Sequence, residues 1–307
     1  MQRLKWTGVS NKRMLPAPIK SVLASCSAAS LLLLCHAATA DSWQPLPEQL
    51  LGVTTDLSPA APATCRSPEQ PEAIQVWLPL GRSQEPIKTL SQWPAHPLAE
   101  FVQCFHIRWY QDYDQLDCRS GGQRGHQQCD LALLPREWNQ RQLVFIASGT
   151  PAIGSASHWQ MVLPVHASVD VLAHEVGHWL GFADEYPMSS ALAENYCQGR
   201  YLHPSVNVVT TVTQQLSSHE LQKLWQRLPW RDAVADWRDL AQPGSDGKWQ
   251  LGSAASVAVG LFPSATCNAV EKVYSWKPVA HMTAMEYHDV NVWPEVYLEL
   301  LRRSNGQ

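Results

Sequence analysis

Residues 174–186 read HEVGHWLGFADEY, and this stretch decides how the rest of the chain is interpreted. His174 and His178 are four positions apart, so on a helix they lie on one face and can bind the same zinc ion. Glu175 follows the first histidine and can reach a metal-bound water as a general base. The spacing therefore predicts a zinc site carried by a helix.

The residues around the motif support this helix. Apolar side chains recur at three- and four-residue spacing over residues 168–180, and Ser168 is placed as the N-cap. Gly181 can adopt a positive φ, which would end the helix and let the chain turn back. Asp184, ten positions after His174, would then return to the metal as its third ligand.

Three protein ligands would leave a fourth tetrahedral position open for water, which is the arrangement of catalytic rather than structural zinc. On spacing alone, Glu185 competes with Asp184 for the third place. The alternative role for Glu185 is to orient a ligand histidine from outside the metal site. The sequence thus leaves two candidates for the third ligand.

The motif H-E-x-x-H-x-x-G-x-x-D resembles that of the metzincin metallopeptidases, whose extended motif ends in His or Asp. The stretch from Leu180 to Tyr186 is most similar to the bacterial IgA-peptidase-like family, and weaker similarity extends from about Phe105 to the C-terminus. The resemblance implies an α/β (α+β) metzincin-like catalytic domain. Such a domain has a twisted mixed sheet, an active-site helix and a mostly helical or irregular C-terminal subdomain.

Metzincins also carry a methionine turn beneath the metal, and the resemblance assigns it to Met285, with Met282 as the competing position. In the astacin-like branch a tyrosine two residues after this methionine stabilises the transition state, so Tyr287 becomes a candidate catalytic residue. Met285 can equally be read as a residue that fills a gap in the core.

The resemblance implies a zinc-dependent endopeptidase with one catalytic Zn²⁺ and a protein or peptide substrate. It does not imply cleavage of immunoglobulins, because specificity depends on pocket side chains. Two alternatives share the same ligands: a secreted zinc-binding or adhesion protein without turnover, and a zinc hydrolase of a non-peptide substrate. The intact Glu175 argues against the binding protein.

Elsewhere the periodicity predicts strands over residues 105–110, 142–147 and 159–165 and a helix over residues 217–228, where Ser217 and Glu220 form a capping box. Residues 293–303 suggest a closing helix, and residues 241–249 a polar loop. In metzincins an edge strand pairs with the extended substrate, and residues 159–165 are the candidate for it.

The first forty residues have the composition of a secretory signal peptide. Five basic and no acidic residues precede an apolar stretch, and Ala38-Thr39-Ala40 supplies a cleavage site after Ala40. We therefore expect a secreted or periplasmic protein with no membrane segment after cleavage. Residues 41–100 contain ten of the 22 prolines, which is expected to exclude long helices and central strands there. This segment is predicted to wrap around residues 101–307, the catalytic domain, or to act as a pro-segment.

Charge and cysteine content narrow the function further. Removal of the five basic residues changes the net charge from −4 to −9, and no basic run remains, so nucleic acid is not expected as a partner. Six cysteines remain after cleavage, which favours disulfides in an oxidising compartment. Cys118 and Cys129 are the candidate pair, and a cysteine metal site is disfavoured because the chain has no C-x-x-C.

Overall fold

A mixed five-stranded sheet, with the helix that carries the histidine motif packed against it, forms the centre of the fold. The computed structural model describes residues 74–102, 105–110, 116, 119–121, 126–129, 134, 141–147, 154–200 and 205–305. These residues all belong to one unit, Ser42–Gln307. The predicted signal peptide and Cys65, Cys104 and Cys118 lie outside the described residues.

The described strands are β1 (Ile74–Pro79), β2 (Phe105–Tyr110), β3 (Arg119–Gly121), β4 (His126–Gln128), β5 (Gln142–Ile146), β6 (Ser155–Ala156), β7 (Gln160–Pro164), β8 (Val209–Thr211), β9 (Gln215–Leu216), β10 (Ala241–Pro243), β11 (Trp249–Leu251), β12 (Phe262–Ser264) and β13 (Tyr274–Lys277). The described α-helices are α1 (Gln84–Gln92), α2 (Val169–Trp179), α3 (Ser190–Cys197), α4 (Ser218–Arg227) and α5 (Glu295–Asn305). The protein is therefore a mixed α+β fold.

The main sheet has the order β2-β1-β5-β7-β6, in which only β6 runs antiparallel. β2, β5 and β7 correspond to the three predicted strands. However, β7 lies between β5 and β6, so the prediction that residues 159–165 form the edge strand is wrong. Among the described strands, β6 is the edge on that side, and its two residues were too short a pattern to recognise in the sequence.

The central position of β1 contradicts the prediction for the Pro-rich segment. β1 pairs in parallel with β2 on one side and with β5 on the other. The prolines do not interrupt it, because Pro71 precedes the strand and Pro79 is its last residue. Pro86 likewise lies in the first turn of α1, where a backbone N–H has no partner within the helix. The part of the segment from Ile74 onward thus belongs to the sheet.

Both faces of the sheet are buried. Successive residues of β5 point to opposite faces, so that Leu143 and Phe145 join the core with α2, whereas Val144 and Ile146 pack with Tyr110 on the other face. This explains why residues 142–146 read as an apolar run rather than an alternating pattern. The buried residues of α2 therefore pack against an apolar face of the sheet.

The C-terminal half is built from short elements. α4 begins with the predicted capping box, in which Ser217 accepts from the Glu220 N–H and Glu220 accepts from the Ser217 N–H. Two three-stranded sheets, β10-β11-β9 and β12-β13-β8, were not predicted. The predicted loop at residues 241–249 contains β10 and the start of β11, an antiparallel pair whose three-residue strands are too short to give a periodic signal. α5 corresponds to the predicted closing helix.

A disulfide joins Cys197, at the end of α3, to Cys267, in the loop after β12. Cys129 is also disulfide-bonded, but its predicted partner Cys118 lies outside the described residues. In the part of the chain that the structure describes, no helix is long and apolar enough to cross a lipid bilayer.

We expect the variant Cys197→Ala/Cys267→Ala to unfold at lower denaturant than the wild type. The bond closes a loop with a sequence separation of 70 residues. Its loss releases chain entropy in the unfolded state worth about 4 kcal/mol. Urea unfolding of both proteins under non-reducing conditions measures the difference, and an unchanged midpoint would contradict it.

Candidate metal centre

The helix α2 begins and ends as its sequence predicts. The Ser168 hydroxyl accepts from the Val171 N–H at 3.3 Å, which satisfies one of the unpaired donors of the first turn. At the other end Gly181 adopts φ +97°, a conformation that glycine takes without strain. The Phe182 N–H donates to the Gly177 carbonyl at 3.0 Å, which closes the turn. The chain then runs back toward the helix face that carries the two histidines.

Three side chains meet on that face. Asp184 Oδ1 lies 3.2 Å from His174 Nε2 and 3.2 Å from His178 Nε2. One ligand atom from each of the three residues lies within 4.8 Å of the others. His174 and Asp184 are buried and His178 is partly buried. The structure thus brings together the three residues that the motif predicts, and this group could bind a metal ion.

The hydrogen bonds of the imidazoles determine which nitrogen faces Asp184 without a proton. His174 Nδ1 lies 2.8 Å from the Ala284 carbonyl oxygen, and His178 Nδ1 lies 3.0 Å from that of Phe182. A carbonyl oxygen only accepts, so each Nδ1 is the donor. In a neutral imidazole the Nε2 atom then carries a lone pair, which is the tautomer that binds metal ions.

Asp184 Oδ1 is buried, and within the described part of the chain His174 and His178 are its only hydrogen-bonding neighbours. When both histidines are neutral, two nitrogen lone pairs and one carboxylate oxygen therefore converge without a proton between them. Such a group is unfavourable unless a cation, or protons on the histidines, lies between its members. The donor set of two imidazoles and a carboxylate fits a divalent transition metal.

Without a cation, protons take its place. Burial by itself lowers the pKa of His178, but the charge and hydrogen bond of Asp184, the charge of Glu175 and the Phe182 carbonyl together outweigh this effect and raise that pKa to about 9. Burial likewise raises the pKa of Asp184, yet the two histidines hold it well below its usual range. At neutral pH a metal ion must therefore displace a proton from His178.

Glu175 is buried beside His174 on α2. Gly154, which precedes β6, leaves the space that its carboxylate occupies, since a Cβ added there would lie 2.8 Å from Glu175 Oε1 and 2.8 Å from Leu163 Cδ2. Any side chain at this position would displace one of these two groups. The sheet edge thus contributes to the position of the candidate base, a role for Gly154 that has no local sequence signal.

Met285 lies directly beneath the motif helix. It is fully buried, and a Cβ added to Gly177 would lie 2.7 Å from its Sδ atom. The glycine within the motif thus permits the close approach of the methionine. The preceding residue, Ala284, supplies the carbonyl that holds His174. Met282, the competing position, is 48% exposed and takes no part in this packing.

The structure does not bring Tyr287 into the ligand group. Its side chain is 52% exposed, and its ring stacks on His288 at 5.4 Å between centroids. A hydrogen bond with Asp289 raises its pKa. His288 in turn lies 6.4 Å from the His174 ring, and Tyr186 stacks on the same ring at 6.2 Å. Tyr186 is therefore an aromatic neighbour of the site that the sequence interpretation did not assign.

Glu185, the rival for the third ligand, points away from the histidines into a buried polar cluster. Thr283 donates to its Oε2 atom at 2.7 Å, and the Lys277 ammonium lies 3.2 Å from the same atom. Asn207 donates to Oε1 at 2.8 Å, and the Tyr297 hydroxyl donates to it as well. Both oxygens are therefore engaged, and the carboxylate is 0% exposed.

The segment that carries Asp184 is held from two further directions. Asn207 accepts from the Ala183 N–H at 2.8 Å and donates to the Ala183 carbonyl at 3.0 Å. The Thr266 hydroxyl donates to the Asp184 carbonyl at 2.7 Å, one residue before the disulfide-bonded Cys267. These residues lie far from the motif in sequence, and nothing in their own neighbourhood marks them as part of the site.

A scan against protein-family models found no match for this chain, and a search of curated proteins found no significantly similar sequence. The functional assignment therefore depends on the residues of the site.

We expect the affinity for a probe ion such as Zn²⁺ to fall as the pH is lowered from 8 to 6. The pKa of His178 in the metal-free protein is about 9, so one proton must leave for each ion that binds. The apparent affinity should then fall roughly tenfold per pH unit. Competition with a chromogenic chelator at each pH measures it, and an affinity independent of pH would contradict the prediction.

The raised pKa of His178 also determines whether the stability of the metal-free protein rises or falls with pH. The pKa of His178 lies above its ordinary value of 6.5, so protonation stabilises the fold fully below pH 6.5 and this contribution is lost as the pH rises through about 9. Unfolding of the metal-free protein at each pH serves as the control, because it separates loss of ion affinity from loss of structure.

Separate replacement of the neighbouring carboxylates distinguishes their roles. Asp184→Asn should abolish stoichiometric binding of Zn²⁺, because the charged third ligand is lost. Glu185→Gln should keep one ion per chain but lower the free energy of unfolding by roughly 3 kcal/mol, because the buried Lys277 ammonium loses a carboxylate partner. Elemental analysis and urea unfolding give the two measurements.

Glu286→Gln is the matched control for Glu185→Gln. It removes the other carboxylate that pairs with Lys277, but from a side chain that is 30% exposed, so the loss of stability should be smaller. If Glu185→Gln lost the ion while Asp184→Asn retained it, the assignment of the third ligand would be reversed.

Proposed function

We propose that the protein is a zinc-dependent metallopeptidase that hydrolyses peptide bonds of proteins or peptides. The observation that carries the proposal is the convergence of His174 Nε2, His178 Nε2 and the otherwise unpaired Asp184 Oδ1, with Glu175 next to the first ligand. Two imidazoles and one carboxylate in an H-E-x-x-H helix favour zinc over harder cations. Three ligands also leave a coordination position for water or substrate.

When bound, zinc would supply a Lewis acid that polarises the substrate carbonyl and makes a water molecule more acidic. Glu175 is the residue that would accept the proton of the attacking water and pass it to the leaving amine. Its burial between α2 and Gly154 keeps the carboxylate in one place. The carbonyl oxygens of Ala284 and Phe182 keep both histidines in the metal-binding tautomer.

The position of β6 supports an extended substrate. This strand is the edge of the described sheet beside α2, and the Trp179 Nε1–H donates to the carbonyl of Ser157, just after the strand, at 2.7 Å. Edge strands carry backbone groups that can pair with an added peptide strand. A peptide bound along β6 would run beside the helix that carries Glu175. We infer that β6, rather than residues 159–165, takes this role.

We also propose the cellular compartment in which the protein acts. The disulfide Cys197–Cys267 suits an oxidising environment, and the composition of residues 1–40 suits export. We infer that the protein acts outside the cytoplasm, as a secreted or periplasmic enzyme. A pro-segment, if one is removed, would lie before Ile74, because β1 is a central strand of the sheet.

The test compares the exported wild-type protein with Glu175→Gln on a library of peptides derived from whole proteins. Both should contain about one zinc ion per chain, since Glu175 is not a ligand. Cleavage by Glu175→Gln should be lower by roughly 10²–10⁴-fold, because the general base is lost while the fold is preserved. Mass spectrometry of the products measures cleavage, and elemental analysis measures zinc.

Glu299→Gln is the matched control, because Glu299 lies on the exposed side of α5. This variant should cleave the peptides as the wild type does. If wild type and Glu175→Gln hold zinc and neither cleaves any peptide, the peptidase proposal is wrong. A binding protein or a hydrolase of a non-peptide substrate would then replace it.

A further inference from the structure

A cavity of about 430 Å³ opens directly beside the candidate ligands. His178 and Asp184 line it at the metal site, and apolar side chains including Trp179, Leu180, Met188 and Leu192 line much of the remainder. The volume is large enough for one amino-acid side chain together with part of the backbone that carries it. Because the cavity reaches the ligands, whatever occupies it lies next to the reacting bond.

Polar side chains such as those of Ser157 and His158 also line the cavity, and Arg141 is the one arginine or lysine among the described lining residues. It immediately precedes β5, is only partly exposed, and its guanidinium carbon lies 5.5 Å from the centroid of the Trp179 ring. No carboxylate of the described residues forms an ion pair with it. Burial lowers its pKa, with no compensating contribution from a nearby acid.

Arg238 also stacks on a tryptophan ring, but unlike Arg141 it has a carboxylate partner in the described chain. Arg238 lies 4.5 Å above the Trp237 ring, and its Nη1 atom pairs with Asp236 at 3.0 Å on the exposed surface. Stacking covers the face of a guanidinium and leaves its N–H edge free for a carboxylate. At Arg238 the chain supplies that carboxylate, whereas at Arg141 the described chain does not, although Arg141 is the more buried of the two.

We propose that Arg141 binds a carboxylate of the substrate, so that the enzyme selects peptides with an acidic group beside the scissile bond. This inference depends on the proposed peptidase function. The carboxylate could belong to an Asp or Glu side chain or to the C-terminus of the peptide, and both present the same planar group to the guanidinium.

The charges at the site support this choice of ligand. A divalent cation together with the carboxylates of Asp184 and Glu175 has no net charge, so Arg141 gives the lining of the same cavity a net positive charge. A basic side chain would therefore be repelled, and an acidic one attracted, in a space where apolar walls weaken screening by water. The fork of the guanidinium can also hold a carboxylate through two parallel hydrogen bonds.

The experiment uses peptide pairs that differ by Glu or Gln at one of the two positions flanking the scissile bond, each with a free or an amidated C-terminus. For the wild type we expect kcat/KM to favour the carboxylate by roughly 10- to 100-fold. In Arg141→Met this ratio should fall to about one. In Arg141→Lys, which keeps the charge without the fork, it should fall to an intermediate value.

Arg238→Met is the matched control, because it removes a stacked arginine outside the cavity and should leave the ratio unchanged. A preference for Glu over Gln in amidated peptides identifies a side-chain carboxylate, and a preference limited to free C-termini identifies the terminal one. An acidic preference that persists in Arg141→Met overturns the inference, as does the absence of any acidic preference in the wild type. Cleavage itself would leave the peptidase proposal standing in both cases.

A binding measurement tests the role of Arg141 independently of whether the protein cleaves peptides. The same peptides, labelled with a fluorophore, are titrated into zinc-loaded Glu175→Gln and into Glu175→Gln/Arg141→Met, and anisotropy gives the affinities. Tighter binding of the Glu peptide that disappears in the double variant supports Arg141 even if the wild type cleaves nothing. Equal loss of affinity for the Glu and Gln peptides would show a structural role for Arg141 and overturn the inference.

Discussion

The two hydrogen bonds from His174 Nδ1 and His178 Nδ1 to backbone carbonyls are the interactions on which the site depends. In a neutral imidazole each one places the proton on the nitrogen that faces away from Asp184 and leaves a lone pair on the nitrogen that faces it. The acceptor for His178 is the Phe182 carbonyl, in the turn that Gly181 creates. That turn therefore both returns the chain to the helix and selects the tautomer of the second histidine.

The acceptor for His174 is Ala284, 110 residues further along the chain, so its position depends on tertiary structure. Met285 fixes this segment from below, because its side chain fills the space that Gly177 leaves open on the helix. The Glu185 N–H also donates to the Met285 carbonyl at 3.0 Å. The segment that supplies Asp184 and the segment that orients His174 are thus bonded to each other, and a shift of either would alter the geometry of both ligands.

The parts of the site that the sequence predicts are those whose physical cause is local. The N-cap at Ser168, the four-residue spacing of the histidines and the positive φ of Gly181 follow from interactions within a few residues, and the structure contains all three. The choice between the two acidic candidates could not be made in this way. It depends on partners such as Lys277 and Tyr297, which are 92 and 112 residues away from Glu185.

The same distinction explains the errors in the fold. Proline content argued against a central strand in residues 41–100, but what determines β1 is the apolar run between two prolines and the two neighbouring strands that pair with it. The strand β6 and the pair β10-β11 are two or three residues long, and pairing rather than propensity defines them. Arg141 has no motif at all, since its significance comes from Trp179 and a cavity formed by distant segments.

Adjacent carboxylates with opposite surroundings show how closely the site is tied to the rest of the fold. Asp184 faces the Nε2 atoms of two histidines and needs a cation or a proton between itself and them, whereas Glu185 is surrounded by donors and has its own cation in Lys277. Burial and the charge of Glu185 raise the pKa of Tyr297 well above its ordinary value, so this hydroxyl stays a donor on α5. The buried charge of Glu185 would be costly alone, but with its four partners it links the metal-binding segment to β13, to the methionine segment and to the last helix. The position of Asp184 therefore depends on the residue that follows it, and Glu185 itself lies outside the group that could bind a metal ion.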